Sequence, residues 1–398
     1  MNKAIATFAL VAAAAFSAAA DAASATLPAA ADAGYDGTFR VRVAGYNIRY
    51  KTTEKDSTND WDNRKVDLVN LVKDIDPDVI GFNEVDPPQM SDLKAMMPEY
   101  EIIGRHRTAN NTQRATPVAY RKSRFAALGS GTFWLTTTPD VPGSQDLGDG
   151  YVSSCPETCS WVTLRDKNSG GVFCFFCTHL DHIDAELRRR NMQVLLSKIA
   201  TLRDTGIPVV VVGDMNAKEA EPTILAATAV MQNSLLVSKT TPTGSWRTYT
   251  YWSWRPDEKS CEYALATYTP EERSSKVTGI IGHRIDHIFT SFGTEVESFA
   301  TRNDARPGME YYPSDHYPVV ANLRMSCANN LYAGKVRIEI DKTVPYAGHG
   351  RYVLTHGANI VDDENLEFVL PEWVERAAVE DGEIVIYTKP EPLKIILR

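Results

Sequence analysis

The chain has 398 residues, 43% of them hydrophobic and 23% charged, a balance that excludes a disordered or fibrous protein and allows one large domain beside a small one. Its formal net charge of −9 excludes a broadly basic nucleic-acid-binding surface. A nuclease stays open, because a bound cation can supply local positive charge.

Lys3, the Ala-rich apolar run Ala4 to Ala20 and the small-residue site Ala20-Asp21-Ala22 predict a cleaved secretory signal over residues 1–22, hence a secreted or periplasmic protein. Residues 23–37 read as a flexible lead-in, and nothing later is apolar enough for stable membrane insertion. Phe39 to Ile48 reads as a strand. Asp60 then opens an amphipathic helix through Val66, Val69 and Val72 to Ile75, stopped by Pro77, and a strand follows from Asp78 to Val85. Arg105, His106, Arg107 and Arg114 form a basic patch, either a solvated loop or a seat for a second phosphate. Strands are expected at Val118 to Tyr120, Cys159 to Leu164 and Val172 to Thr178.

Export makes the cysteines disulfide candidates. A tight turn over Asp166 to Gly171 would face Cys159 with Cys177, with Cys155 as the competing partner. Cys174 and Cys177 are spaced like a metal or redox pair, yet in a strand they point to opposite faces. A second long helix is expected from Asp184 to Arg203, with Leu187, Leu195, Ile199 and Leu202 on one side, leading through Gly206 and Pro208 into a strand ending at Gly213. The aromatic run Trp246 to Trp254 could stack a base or sugar, although its alternation fits a strand whose aromatics pack. Strands at Arg284 to Thr290 and Tyr317 to Leu323 complete a domain over residues 38–326. After Cys327, the strand-like runs Val336 to Ile340, Leu366 to Leu370, Glu383 to Tyr387 and Lys394 to Leu397 predict a small β-rich appendage over residues 327–398. Short strands with few helices between them predict an α+β fold, a two-sheet sandwich flanked by helices.

The informative pattern is what sits at the strand ends. Asn47 follows the first strand, Glu84 the second and His179 the Cys174 strand; Asp214 and Asn216 follow the Val-rich strand, Asp286 lies inside the Arg284 strand, and Asp315 and His316 precede the last. Delivered to one edge, these groups make a cluster of carboxylates that repel one another unless a cation neutralises them. Oxygen donors such as Glu84, Asn47 and Asp315 suit a hard ion, Mg²⁺ or Mn²⁺, better than zinc.

These motifs, with Tyr46-Asn47-Ile48-Arg49-Tyr50, Trp61-Asp62-Asn63-Arg64, Gly131-Thr132-Phe133-Trp134-Leu135, Thr178-His179-Leu180-Asp181-His182 and Tyr312-Pro313-Ser314-Asp315-His316, resemble the endonuclease/exonuclease/phosphatase superfamily in their order from Phe39 to Arg324. The resemblance is strongest to its bacterial secreted or periplasmic members. It implies a four-layer α/β/β/α sandwich of two mainly antiparallel sheets and a metal-dependent phosphoesterase. Glu84 would be the principal metal ligand, with Asn47 and Asp315 beside it directly or through water. His316 would act as general base or as donor to the phosphate, with Asp286 fixing its tautomer. Asp214 would orient or deprotonate the attacking water, and Asn216 and His179 would bond the non-bridging oxygens. A His at position 179 fits deoxyribonucleases, sphingomyelinases and phosphatases better than abasic-site endonucleases.

The expected substrate is therefore a phosphate ester, with phosphodiesters of nucleic acids or phospholipid head groups placed ahead of inositol or sugar monoesters. A catalytically silent ligand-binding protein on the same scaffold is the other class, and nothing in the sequence signals an obligate protein partner.

Overall fold

The structure, a computed structural model, describes residues 38–203, 206–245, 247–250, 254, 284–304, 311–326, 336–339, 351–353, 366–369, 372, 374–380 and 383–388. The signal segment, the lead-in, Trp246 and Tyr251 to Ser253 of the aromatic run, and the strand expected at Lys394 to Leu397 lie outside the described residues.

The chain opens with β1 (Thr38–Asn47), α1 (Trp61–Ile75), β2 (Val79–Asn83), α2 (Pro87–Met96), β3 (Tyr100–Ile103), β4 (Val118–Arg121) and β5 (Phe125–Trp134). A short ribbon of β6 (Asp146–Gly148) and β7 (Tyr151–Val152) precedes β8 (Thr158–Asp166), β9 (Val172–His179), α3 (Ala185–Arg203) and β10 (Val209–Asp214). Then come α4 (Pro222–Thr228), β11 (Gln232–Asn233), α5 (Ser234–Val237), β12 (Thr243–Gly244), β13 (Asp286–Thr290), β14 (Glu295–Thr301) and β15 (Val319–Ser326). One sheet has seven strands in the order β12-β14-β15-β1-β2-β4-β3, the other six in the order β11-β13-β10-β9-β8-β5. Most neighbours are antiparallel; β1 with β2, β9 with β10 and β12 with β14 are parallel.

Strand alternation explains the layers. In β1, Val41 and Val43 face one core with Val210 and Val212 of β10, which places that core between the sheets. Ala44 and Tyr46 turn the other way, to α1 and α2 through Trp61, Leu68, Val72 and Leu93. Val209 and Val211 turn to α3 and α4 through Met192, Leu195, Ile199 and Ile224. The result is the four-layer α/β/β/α sandwich, with each fully buried Val contributing roughly 1.5–3 kcal/mol.

Helix α1 begins after Asp60 and ends at Asp76, whose backbone is left-handed (φ 53°) and whose N–H reaches the Val72 carbonyl just before Pro77. Its buried face is Leu68, Val69, Leu71, Val72 and Ile75, whereas Val66, expected on that face, is 54% exposed. At about 100° per residue Val66, two positions before Leu68 and six before Val72, falls on the side of the helix opposite the buried face.

The expected Cys159–Cys177 disulfide is corrected by the register. Cys159 pairs with Thr178 and Cys177 with Ser160, so the two thiols stand one residue out of step and face opposite sides of the sheet. Cys177 enters the core between the sheets, Cys159 and Cys174 enter the core under α3, and all three are free thiols, as is Cys155.

The described strands beyond residue 327 are β16 (Val336–Glu339), β17 (Arg351–Val353), β18 (Leu366–Val369), β19 (Val374–Glu380) and β20 (Glu383–Thr388). They pair only among themselves, β16 with β18 and β17 with β20 and β19. Among the described residues no helix is long and apolar enough to cross a membrane.

Candidate active site

The two sheets close on each other where side chains are smallest. A Cβ added at Gly81 of β2 would lie 2.5 Å from Val212 Cγ2 and 2.6 Å from Cys177 Sγ in the facing sheet. Just beyond this approach come the polar strand ends. Asn83 donates to the Thr178 carbonyl at 2.8 Å and accepts the Asp214 N–H at 2.9 Å, a clamp across the sheets.

Strand direction does the rest. The chain leaves β1, β2, β9 and β10 at this edge and enters β13 and β15 there, because those two run antiparallel to their neighbours. Asp214 thus lies beside His179 on one side and Asp286 on the other. Asp286 opens its strand rather than lying inside it, and Glu84 follows β2 with a left-handed backbone (φ 64°) that turns it out of the sheet. Arg64, fully buried, ties the loops together by donating to the carbonyls of Ile48 (2.7 Å), Arg49 (2.8 Å) and Pro313 (2.8 Å). The Ser314 hydroxyl adds a 2.7 Å bond to the Asn47 carbonyl.

At the edge, His316 Nδ1 donates to Asp286 Oδ2 at 2.7 Å, which turns Nε2 to within 3.7 Å of Asp214 Oδ2. The Asp286 N–H is itself held by the Thr248 hydroxyl at 3.0 Å. Burial opposes a charge on His316, but Asp286, with Asp214 and Asp315 behind it, raises the group to about 10. His179 Nδ1 is held between Arg107 Nη2 at 3.0 Å and Glu157 Oε2 at 3.3 Å. Its Nε2 then faces Glu84 Oε1 at 3.6 Å and Asp214 Oδ2 at 3.7 Å. Burial disfavours the charged His179 ring, but the Glu157 carboxylate outweighs it and lifts the group to about 9. Arg107 and Glu157 form a buried ion pair directly behind that ring.

Asp214 Oδ2 is the meeting point of both imidazoles and also accepts the Asn47 amide at 3.0 Å. Its Oδ1 accepts the Asn216 N–H at 2.8 Å, and the Asn216 amide group donates to the Leu180 carbonyl at 2.9 Å. Burial, reinforced by Asp286, pushes the Asp214 carboxyl up to about 6. Asp315 is also buried and raised, by desolvation and by Glu84. Glu84 behaves oppositely: burial pushes it up, but His179, Arg114 and His316 hold it well below the ordinary range.

The donor set fits a hard divalent cation. Four carboxylates, Glu84, Asp214, Asp286 and Asp315, share one edge, and the two driven upward are those whose repulsion a cation relieves. Among the described residues Glu84 has acceptor capacity to spare, since Oε2 takes a 3.2 Å bond from the Tyr50 N–H and Oε1 has the two contacts at 3.6 Å. Asn47 turns its amide nitrogen to Asp214, and its oxygen accepts the Arg49 N–H at 3.0 Å. Asp214, Asp286 and His316 also bring one ligand atom each within 4.8 Å of one another. His316 Nδ1 and Asp286 Oδ2 are already bonded to each other, which leaves Glu84 the better first ligand.

Asn47, Glu84, His179, Asp214, Asn216, Asp286, Asp315 and His316 all lie at this edge, and four further residues join them: Arg107, which the sequence placed only in the basic patch, and Asn83, Glu157 and Thr248, which sequence reasoning missed. Asn83 carried a signal, an amide inside an apolar strand next to Glu84. Glu157 and Thr248 carried none, being a charged and a hydroxyl residue outside any clear pattern. The aromatic run contributes Tyr249, whose ring lies 4.8 Å from that of His316 and whose backbone bridges to it.

The endonuclease/exonuclease/phosphatase family model matches residues 44–316. A crystal structure of an endonuclease/exonuclease/phosphatase from Bacteroides vulgatus is 29% identical, with 72% of this chain and 98% of that one covered and a TM-score of 0.59. The mannosyl-6-phosphatase of Bacteroides thetaiotaomicron is 26% identical over 71% of this chain and 99% of its own, with a TM-score of 0.59. An uncharacterised protein of Acanthamoeba polyphaga mimivirus is 27% identical over 45% of this chain and 68% of its own. With more than half of its length matched by that model, and with the sandwich and its strand-edge cluster in place, the chain belongs to the endonuclease/exonuclease/phosphatase family.

Proposed function

We propose that this protein is an exported, divalent-metal-dependent phosphoesterase. The observation that carries the reading is the meeting of two oriented imidazoles at one carboxylate, with His316 Nε2 and His179 Nε2 each 3.7 Å from Asp214 Oδ2, beside the Glu84 carboxylate. Mg²⁺ or Mn²⁺ held by Glu84, with Asp315 and Asn47 nearby, would supply Lewis-acid polarisation of a phosphoryl oxygen. Asp214 orients the attacking water. His316, fixed through Nδ1 by Asp286, presents Nε2 to the reacting phosphoryl group, and His179 presents Nε2 to a non-bridging oxygen. Asn216 acts by holding Asp214 in place through its backbone N–H.

A monoester reading gains support over the diester preference drawn from sequence, because the mannosyl-6-phosphatase is similar over nearly its whole length. The test is a substrate panel with Mg²⁺, Mn²⁺ or EDTA: sugar phosphates, an inositol phosphate, plasmid DNA, RNA and sphingomyelin. Turnover abolished by EDTA supports the reading and names the substrate. A folded, metal-binding protein that turns over none of them supports the silent ligand-binding alternative.

A further inference from the structure

Among the described residues four arginines surround the site, and three are committed. Arg49 pairs with Glu54 at 2.9 Å, Arg64 is spent on backbone carbonyls, and Arg107 is buried against Glu157 and His179. Arg114 is different. Its side chain is 32% exposed, it lies 3.6 Å from Glu84 Oε1, and its guanidinium carbon lies over the Tyr50 ring, 4.3 Å from the ring centroid. Among the described residues that guanidinium donates no hydrogen bond, since 3.6 Å is an ion-pair separation beyond hydrogen-bond length.

A cation–π contact with a ring spends none of a guanidinium's N–H groups, which stay available for bidentate capture of an oxyanion. Arg114 and His179 approach the same oxygen of Glu84, each at 3.6 Å, so an anion bound at that carboxylate's cation lies within reach of both. A diester offers two non-bridging oxygens, which a metal ion and His179 would take. A terminal phosphate offers a third and a second negative charge. Resting on the phosphoesterase reading, we propose that Arg114 is a substrate-binding residue whose guanidinium edge holds a terminal phosphate, favouring phosphate monoesters over diesters.

The test titrates inorganic phosphate into the full chain with Mg²⁺ by calorimetry, comparing wild type, Arg114→Gln, Arg114→Lys and the loop control Arg105→Gln. Arg114→Gln should weaken phosphate at least about tenfold, as expected for a lost charge-assisted pair. Arg114→Lys should recover part of that, a point charge without the fork, and Arg105→Gln should match wild type. On p-nitrophenyl phosphate the Gln variant should raise KM by a similar factor, with less than about a threefold change on bis(p-nitrophenyl) phosphate. Mg²⁺ affinity, read by thermal shift, should hold or tighten, because a competing cation has left Glu84.

Unchanged phosphate binding in Arg114→Gln, a wild type that binds no phosphate, or equal losses on both esters with weaker Mg²⁺ would overturn the proposal. A wild type that binds phosphate through Arg114 but hydrolyses no phosphoester would leave the anion site standing and remove the phosphoesterase reading.

Discussion

The side-chain oxygen of Asn83, on one sheet, accepts the backbone N–H of Asp214, on the other, at 2.9 Å. The same amide donates to the Thr178 carbonyl at 2.8 Å, next to His179. One buried amide therefore sets the spacing of Asp214 and His179 relative to Glu84, the residue after Asn83. Asn83→Ala should lose roughly 2–4 kcal/mol of stability from two buried bonds and lower kcat as well. Urea denaturation together with kcat on the best ester checks both. Full stability with unchanged kcat would remove the clamp.

Glu157 neutralises Arg107 inside the protein and holds His179 from behind. In Glu157→Gln, Arg107 is left as an uncompensated buried charge, at a cost of roughly 3 kcal/mol. The paired variant Glu157→Gln, Arg107→Gln should recover part of that loss and still have low activity, because His179 has lost its partner. A double-mutant cycle on urea midpoints and kcat separates the two effects.

The Asp286–His316 bond should be worth more to catalysis than to folding. His316→Ala should lower kcat by at least ~10²-fold, a larger effect than its loss of stability explains. Asp286→Asn keeps the volume but weakens the hold on Nδ1, so its loss should be smaller yet clear. If Asp286→Asn matches wild type, the aspartate does not orient the imidazole.

His287 should add to the acid sensitivity of the fold. Its Nε2 donates to the Ala217 carbonyl at 2.8 Å, and burial, with Arg284 nearby, depresses the ring to about 4 against the opposing pull of Asp286 and Glu221. Above the ordinary His value near 6.5 both folded and unfolded chains carry the neutral ring, and its contribution is fully present. As pH falls from there to about 4, only the unfolded chain takes up the proton, and roughly 3 kcal/mol is lost. Urea midpoints at pH 7, 6 and 5 should fall in wild type and fall less steeply in His287→Phe.

The strand ends were legible because a polar residue after an apolar β-rich run has one place to go, the sheet edge. Asp214 after Val209 to Val212 and His179 after Cys177 are cases of this. Helix α1 was equally plain, since Asp60 and Pro77 bracket it. Side-chain partners were harder. The basic patch looked uniform in sequence, but the fold sends Arg107 inward to Glu157 and leaves Arg114 beside Glu84. The Cys159–Cys177 pairing failed on a register offset of one residue, which reverses the face of a thiol and which no spacing reveals. Glu157 lies in an ordinary-looking Pro156-Glu157-Thr158 and becomes significant only when β8 and β9 pair.

The central claim is that Glu84 holds the cation on which hydrolysis depends. The most direct measurement is Mg²⁺ binding and turnover of p-nitrophenyl phosphate by wild type and Glu84→Gln in the same preparations. The account predicts Mg²⁺ binding and Mg²⁺-dependent turnover in wild type, and in Glu84→Gln a loss of both, with turnover down at least ~10²-fold. Full Mg²⁺-dependent turnover in a folded Glu84→Gln would contradict it.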